Sequence, residues 1–389
     1  MTSPSSPALP ALCIIGRCDA TLWGRTPAER LQRQFAQAGV SRVLSYEEAR
    51  GQEGPVILVR ADAVLDQPLV AILAQKGNLA LIGEGRDGPV PVAASVDGGA
   101  VEAAARLLSG DGGADTGLQV CRPGDLDAAF WKGLRKRETP YALVVAPENR
   151  GAVEWRMFMG TYKGATDFIT KHVWPWPAFH ATRTLAELGV TPNWVTLVAA
   201  VLTVAAFWLF LEGAFATGLV AAWAMTFLDT VDGKLARTTL TSSKWGDVFD
   251  HGIDLVHPPF WYVAWALGLS AVGPGLPDGL FWLVVGTILA GYVLQRAVEG
   301  IAIKWLGLEI HIWRPIDTWF RQITARRNPN LSILTVAVLF GRPDWGLIAV
   351  AAWTALCFVL HVIQLRQAFA AKRQSGPLSS WMELSATPR

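Results

Sequence analysis

Charge is scarce in this chain. Only 17% of its 389 residues are Asp, Glu, Lys or Arg, whereas about 25% is usual for a soluble domain. The formal net charge of +2 and the lack of a basic patch interleaved with aromatic side chains exclude nucleic acid as an expected partner. Cysteines are few as well, four in all, and their spacing matches neither a disulfide framework nor a metal-binding motif. The sequence therefore predicts a chain that faces a reducing compartment.

A signal peptide is not expected either, because the N-terminal residues have no basic segment and only a very short apolar run. The chain is instead rich in apolar residues, with 51% hydrophobic residues and 18 tryptophans. Charged and glycine-rich sequence continues to about residue 185, and long apolar runs follow it. This contrast predicts two domains, of which the second lies in a membrane.

The first half alternates between short apolar runs and helix-like runs. Residues 11–16 (ALCIIG) predict a buried strand, and Thr26, Pro27 and Gly39 are typical of the cap, first turn and end of a helix. Further strands are predicted near SRVLSY, PVILVRADAVLD, NLALIG, PVAASV and YALVVA, with a helix at VEAAARLL. The alternation predicts a cytosolic three-layer α/β domain with a mostly parallel sheet over residues 1–150.

Residues 151–190 connect the two halves and are rich in aromatic and basic side chains. Trp174 and Trp176 stand among prolines, close to Lys171 and the apolar Phe168. This composition favours a segment that lies at the level of the lipid headgroups. The alternative is an ordinary amphipathic helix packed on the soluble domain.

The remaining apolar sequence predicts six membrane-spanning helices between residues 191 and 370, with a cytosolic tail at 371–389. The predicted spans lie near 191–211, 217–236, 245–269, 279–300, 330–342 and 345–366. Lysines and arginines concentrate after the second, fourth and sixth spans, which places those ends and both termini in the cytoplasm. The sequence therefore predicts a multi-pass protein of the inner (plasma) membrane.

Four carboxylates stand between the second and third predicted spans. Asp229 and Asp232 are spaced i,i+3, and Asp250 and Asp254 are spaced i,i+4, so on helices each pair projects from one face. Four carboxylates brought together would repel unless protons or divalent cations lie among them. Oxygen ligands alone favour magnesium, manganese or calcium over zinc. The stretch predicts a cation site, and a solvated acidic turn is the alternative.

The residues around these carboxylates complete a longer pattern. The pattern D-x2-D-G-x2-A-R-x8-G-x3-D-x3-D is met by Asp229, Asp232, Gly233, Ala236, Arg237, Gly246, Asp250 and Asp254. It resembles the signature of the CDP-alcohol phosphotransferases, which are integral membrane enzymes of phospholipid synthesis. The resemblance implies transfer of a substituted phosphoryl group from a CDP-alcohol to a hydroxyl acceptor with release of CMP. It also implies a homodimer formed through the spanning helices.

The same resemblance implies a role for each residue of the pattern. Two divalent cations, Mg2+ or Mn2+, would be held by the four aspartates and would bind the pyrophosphate of the donor. Asp254 would also be the general base that takes the proton of the acceptor hydroxyl. The CDP group of the donor would lie against Asp229, Gly233, Ala236, Arg237 and Gly246.

The acceptor site is expected on the cytoplasmic side, where several basic residues follow the carboxylates. The predicted acceptor-binding residues are Arg296, Arg326 and Arg327, with further candidates at Lys171, His257, Arg321 and Asn328. Arginines would bind a phosphorylated acceptor such as inositol phosphate or glycerol phosphate. A neutral acceptor, such as inositol, serine or a diacylglycerol-type lipid, would not need them. Alternatively, the basic run at 325–330 is only a positive-inside anchor.

The first half resembles the cytidylyltransferase-like members of the nucleotidyltransferase fold in the order of its strand, polar loop, Thr-Pro helix and a strand that ends at Asp62. Its loop, RCDATLWGR, is short of glycines and so offers fewer backbone N–H groups to phosphate, and Ala28 or Glu29 stands where that family has lysine. The resemblance therefore implies a degenerate domain with a regulatory or scaffolding role. Arg17, Arg25 and Asp62 are the residues to test for residual activity.

Three functions remain open at this point. The expected one is a membrane CDP-alcohol phosphotransferase of phospholipid synthesis that uses CDP-diacylglycerol as its donor. A second is a bifunctional enzyme whose first domain makes the CDP-alcohol that the second consumes, giving an inositol-phosphate-type product. The third, of another class, is a non-catalytic transporter that uses the carboxylates as a cation path.

Overall fold

The structure, a computed structural model, describes residues 10–111, 117–126, 129–242 and 244–383. Of residues 244–251 and 253 it describes only the helical backbone. The chain divides into two compact units. Unit 1 contains the residues up to Tyr162 together with Thr238–Leu240, and unit 2 contains Lys163–Arg237 and the residues from Thr241 onward.

Unit 1 contains a β-sheet and the helices that pack on it. Its strands are β1 (Ala11–Ile15), β2 (Val43–Leu44), β3 (Val56–Arg60), β4 (Ala63–Leu65), β5 (Leu79–Gly85), β6 (Gly88–Val96), β7 (Gln119–Cys121), β8 (Phe130–Trp131), β9 (Lys136–Arg137) and β10 (Ala142–Val144). Its helices are α1 (Pro27–Gln37), α2 (Tyr46–Arg50), α3 (Gln67–Gln75), α4 (Val101–Ser109) and α5 (Arg150–Gly160).

The main sheet is mixed, whereas the sequence predicted a mostly parallel one. Its strand order is β2-β1-β3-β6-β5-β10-β4, with β7 beside β5. Strand β1 runs parallel to β2 and β3, but β6 runs antiparallel to both β3 and β5, and β4 runs antiparallel to β10. Only residues 86 and 87 separate β5 from β6, which is too short for the crossover that parallel neighbours need. This connection can therefore form only a hairpin.

Helices cover both faces of the sheet, as a three-layer domain requires. On one face, Leu12, Ile57 and Val59 pack with apolar residues of α1 and α3. On the other face, Cys13 and Leu58 pack with apolar residues of α2 and α4. Successive strand residues point to opposite faces, so the continuous apolar run of β3 contributes to both layers. The predicted α/β class of the first domain is confirmed.

Unit 2 is helical. Its helices are α6 (Pro175–Glu187), α7 (Pro192–Leu211), α8 (Phe215–Thr238), α9 (Lys244–Val272), α10 (Asp278–Ile301), α11 (Pro315–Phe320), α12 (Arg327–Leu339) and α13 (Pro343–Ser375). The predicted connecting segment at 151–190 is thus divided, with α5 in unit 1 and α6 in unit 2. In unit 2 the side chain of Trp176 is exposed, while Trp174 packs edge-on against Trp223 and Phe227. A headgroup location for this segment stays a prediction.

Three segments of unit 2 are long and apolar enough to cross a membrane, within the part of the chain that the structure describes. They are Pro192–Leu211, Asp278–Leu306 and Pro343–Ser375. The predicted spans near 217–236, 245–269 and 330–342 correspond to α8, α9 and α12. Helix α12 has 13 residues, and at about 1.5 Å per residue it is shorter than the ~30 Å hydrocarbon core. Six spans therefore stay a prediction.

Close packing between α7 and α9 sets the direction of α9. An added Cβ at Gly268 would lie 1.9 Å from the carbonyl oxygen of Phe210, so only glycine fits at this crossing. The indole N–H of Trp261 donates to the carbonyl oxygen of Thr203 at 2.9 Å. Since α9 also carries Asp254, these contacts help to position that carboxylate.

Candidate active site

The end of unit 2 where α8 stops and α9 begins carries the predicted carboxylates. Asp229 and Asp232 lie one turn apart on α8, and Asp254 lies on α9. Gly246 and Asp250, also on α9, lie outside the described residues except for their helical backbone. Three of the four predicted carboxylates can therefore be described.

Asp232 is the most buried of these three, with 3% of its surface exposed. Its Oδ2 accepts a hydrogen bond of 2.7 Å from the hydroxyl of Thr196 on α7. Its Oδ1 is also buried, and no described residue donates to it. A buried carboxylate oxygen without a donor is costly, so this atom is suited to bind a cation.

Arg327 connects the carboxylates of the two helices. Its Nη2 donates to Oδ2 of Asp229, and its Nη1 donates to Oδ1 of Asp254. Arg327 is the first residue of α12, so the bridge joins three helices. The guanidinium lies between two carboxylates that would otherwise repel each other. Arg327, which the sequence predicted to bind the acceptor, therefore binds two of the predicted metal-binding carboxylates in this structure.

The donor atoms of this site suit magnesium or manganese in type, because they are carboxylate oxygens. Oδ1 of Asp232 needs a cationic partner, whereas Asp229 and Asp254 hold the Arg327 guanidinium. No group of three or more His, Cys, Asp or Glu side chains that could hold a metal occurs among the residues described. The pair of cations stays a prediction.

Gly233 leaves space for a neighbouring arginine on α8. An added Cβ at Gly233 would lie 2.9 Å from Nη2 of Arg237, so a larger residue would push this guanidinium away. The sequence predicted that Gly233, Ala236 and Arg237 make room for and contact the CDP group. The structure adds that the missing side chain of Gly233 leaves room for the guanidinium of Arg237. The contacts with the nucleotide stay predictions.

Two consecutive prolines lie within α9, about one turn after Asp254. Pro258 and Pro259 have no N–H and cannot bond the carbonyl groups four residues earlier, those of Asp254 and Leu255. The hydroxyl of Tyr292, on α10, donates to the carbonyl oxygen of Leu255 at 2.8 Å. Helix α10 therefore supports the backbone next to Asp254.

A second polar group lies at the end of α10. The carboxylate of Glu299 accepts a 3.0 Å hydrogen bond from Nη1 of Arg296 and another from Nη2 of Arg326. It also lies 3.1 Å from Nε2 of His311. Burial lowers the pKa of His311 to about 3, so the imidazole is neutral and adds no charge. Two of the predicted acceptor-binding residues, Arg296 and Arg326, therefore share one carboxylate.

Arg321 adds a third guanidinium to this group. Its Nε and Nη1 are buried, and no described residue accepts a hydrogen bond from them. Burial and the charge of Arg326 lower the pKa of Arg321 well below its ordinary value, yet a guanidinium stays protonated in proteins. We call Arg296, Arg321, Arg326 and Glu299 the arginine cluster. Asp167 also lies near Arg321, but three guanidinium groups still outnumber these two carboxylates, and the excess positive charge suits an anionic ligand.

Asp167 positions the start of α12. Its Oδ1 accepts from Nδ2 of Asn328 at 3.0 Å and from the backbone N–H of Thr170 at 2.9 Å. Its Oδ2 accepts from the Thr170 hydroxyl at 2.8 Å. Asn328, a further acceptor candidate, follows Arg327 directly, so Asp167 helps to hold Arg327 in place.

The two other acceptor candidates are His257 and Lys171. The ring of His257 packs edge-on against Trp261, with 4.6 Å between the ring centroids, and Lys171 is exposed.

Sequence reasoning missed Thr196, Asp167 and Glu299. A signal for Glu299 exists, since a lone carboxylate in an apolar run is costly in a membrane and is usually functional. Thr196 gives no such signal, because its partner Asp232 lies 36 residues away.

The sequence model of the CDP-alcohol phosphatidyltransferases matches residues 189–325, which include the carboxylate pattern, Glu299 and Arg321. The chain contains a CDP-alcohol phosphatidyltransferase domain. This domain and the relative described next support a phosphotransferase enzyme of phospholipid synthesis, as the pattern predicted. The chain is also 28% identical over 187 residues to archaetidylinositol phosphate synthase of Pyrococcus horikoshii, a match that covers 48% of this chain and 88% of the relative.

Proposed function

We propose that this CDP-alcohol phosphatidyltransferase transfers the substituted phosphoryl group of CDP-diacylglycerol to a hydroxyl group of a phosphorylated alcohol, with release of CMP. The family supports a CDP-alcohol donor. The acceptor class is inferred from the arginine cluster.

The observation that carries this proposal is the unbalanced charge of the arginine cluster. Glu299 is the carboxylate that pairs with Arg296 and Arg326, while Arg321 has two buried nitrogens without acceptors among the described residues. Guanidinium groups bind the oxygens of a phosphate dianion in pairs. A neutral alcohol would leave this excess charge unmatched, so a phosphorylated acceptor fits better.

The relative points to the same class of acceptor. Its name, archaetidylinositol phosphate synthase, describes a product that contains an inositol phosphate. We therefore propose inositol phosphate as the first acceptor to test and glycerol phosphate as the second.

Each residue of the carboxylate site would have its own role in the reaction. Asp254 would take the proton of the acceptor hydroxyl, whose oxygen then forms a bond to the phosphorus next to the lipid alcohol. The bond between that phosphorus and the oxygen of CMP breaks, and CMP leaves with the electron pair. Arg237, beside Gly233, would hold a phosphate of the donor.

Divalent cations would be held by Asp229, Asp232, Asp250 and Asp254. When bound, they would supply positive charge to the pyrophosphate of the donor and to the leaving CMP. The buried Oδ1 of Asp232 supports this assignment.

We also propose that the active-site end faces the cytoplasm. The support is the accumulation of Lys and Arg at the end of α8, at the start of α9 and after α10, since positive residues favour the cytoplasmic side.

The test is an acceptor assay with the purified full-length protein in detergent. Radiolabelled CDP-diacylglycerol and Mn2+ would be mixed with inositol phosphate, glycerol phosphate, inositol or serine, and CMP release and product mass would be measured. We expect turnover with the phosphorylated acceptors and little with the neutral ones. Equal kcat/KM for inositol and inositol phosphate would contradict the proposed acceptor class.

A further inference from the structure

We propose that Arg327 is a resident cation of the carboxylate site, which divalent ions displace from Asp229 and Asp254 when they bind. This inference rests on the proposed metal-dependent function. It assigns Arg327 to the carboxylates in the metal-free enzyme, whereas the sequence predicted only an acceptor contact.

The geometry of the bridge carries the inference. Each terminal nitrogen of Arg327 bonds one carboxylate, one on α8 and one on α9. The guanidinium thus holds oxygens of two of the carboxylates that would bind the proposed ions. It replaces such an ion electrostatically, because one positive charge between two carboxylates reduces their repulsion.

The contacts of Arg327 with the two carboxylates can also be exchanged one at a time. Arg327 makes a single charge-assisted hydrogen bond to each carboxylate, so each can be exchanged separately for a metal–oxygen contact. The side chain of Asp254 is 40% exposed, compared with 17% for Asp229. An ion can therefore reach the site from the Asp254 side.

The unsatisfied oxygen of Asp232 gives a second, independent reason. The bonds of Arg327 to carboxylates go to Asp229 and Asp254, and Oδ1 of the buried Asp232 has no donor among the described residues. A guanidinium therefore satisfies two of the three described carboxylates and leaves one needing a cation. Exchange of Arg327 for divalent ions would satisfy all three.

Release of Arg327 would have a consequence for substrate binding. Once the ions hold Asp229 and Asp254, the freed guanidinium needs a new anionic partner. A phosphate group of either substrate has the required charge and geometry. The expected order is metal first and phosphate second.

The first test measures Mn2+ binding to the full-length protein by electron paramagnetic resonance, without substrates. We expect Arg327→Gln to bind Mn2+ about tenfold more tightly or more, because the ion no longer has to break charge-assisted hydrogen bonds. The matched control is Arg326→Gln, which removes the same charge one residue earlier but pairs with Glu299. We expect this control to keep the wild-type affinity.

The second test uses the wild-type protein and does not depend on the folding of a variant. Arginines would be modified with phenylglyoxal and quantified by peptide mass spectrometry, with and without Mn2+. We expect Mn2+ to speed the modification of Arg327 several-fold. Arg342, which pairs with Asp344 and is exposed, serves as the internal reference.

The outcomes separate this inference from the proposed function. If the wild-type protein binds Mn2+ and releases CMP while Arg327 keeps the same reactivity, the displacement is wrong and the function stands. Unchanged or weaker Mn2+ binding by a folded Arg327→Gln variant would also overturn the displacement. If neither the wild-type protein nor the variant binds Mn2+, both proposals fail.

Discussion

Both units pair an arginine with a carboxylate that was predicted to take part in chemistry, but the two pairings differ in origin. In unit 1, Arg60 binds Asp62 with both ends of its guanidinium, Nε to Oδ1 at 2.9 Å and Nη2 to Oδ2 at 2.7 Å. In unit 2, Arg327 reaches from α12 to Asp229 on α8 and Asp254 on α9.

This difference indicates which carboxylates can take another ligand. Asp62 has a hydrogen bond to each of its oxygens from an arginine two residues earlier, and the short connection keeps the arginine nearby. Arg327 gives each carboxylate one bond and comes from a separate helix. We call the Arg60–Asp62 pair closed and the Arg327 contacts open, and we expect only the open contacts to exchange with other cations. The degenerate role of unit 1 stays a prediction.

The largest effect is expected for Asp254→Asn, which tests whether the carboxylate held by Arg327 in unit 2 takes part in the reaction. This change keeps the shape of the side chain but removes the proposed base, so we expect CMP release to fall about 10²–10⁴-fold. Mn2+ binding should largely remain, because the other aspartates persist. Normal turnover by this variant would show that Asp254 is not the base.

The next largest effect is expected in the arginine cluster of unit 2, where Arg321 is proposed to bind the acceptor. Arg321→Gln removes a buried guanidinium, and a hydrogen bond to a charged group contributes about 1.5–3 kcal/mol. We therefore expect kcat/KM for inositol phosphate to fall about 10–100-fold. The readout is acceptor dependence at saturating CDP-diacylglycerol. A similar loss with neutral acceptors would indicate a structural role instead.

Unit 1 also contains a buried carboxyl whose role we expect to be in stability. Asp66 caps α3 by accepting from the backbone N–H of Gln67 at 3.0 Å. Burial raises its pKa to about 6. The folded state then holds a proton that the unfolded chain loses near pH 4, so stability is lost as the pH rises from about 4 through 6. The cost at pH 8 is about 3 kcal/mol.

Asp66→Asn should therefore remove this part of the pH dependence, because asparagine can still accept from the N–H of Gln67. We expect the unfolding temperature of the variant to exceed that of the wild-type protein by a few degrees at pH 8, with a smaller difference near pH 4. Thermal unfolding of the full-length protein, followed by tryptophan fluorescence, measures both values. A constant difference at the two pH values would show that Asp66 is not the titrating group.

The smallest effect is expected for Asp62→Asn. If the closed pair with Arg60 makes this carboxylate inert, the variant should release CMP at the wild-type rate. Neither the variant nor the wild-type protein should consume CTP. CTP turnover that depends on Asp62 would support the bifunctional enzyme instead.

The strands of the sheet could be predicted from the sequence, but the direction of one of them could not. The apolar strands and the covering helices follow from residue patterns, and they gave the correct α/β class. The antiparallel direction of β6 was missed, although Asp87 and Gly88 form a dipeptide that is typical of hairpin turns. Gly88 has a φ of +127°, a conformation that glycine adopts easily.

The sequence by itself determined the carboxylate pattern, because its residues lie close together in the chain and helical spacing places them on defined faces. It also predicted the CDP-alcohol phosphatidyltransferase domain and with it the class of reaction. Only the tertiary structure decided which cations meet these carboxylates. Arg327 lies 98 residues from Asp229 and 73 from Asp254, and Arg326 lies 27 from Glu299. A local pattern carries no information on such distances, since the packing of separate helices brings the partners together.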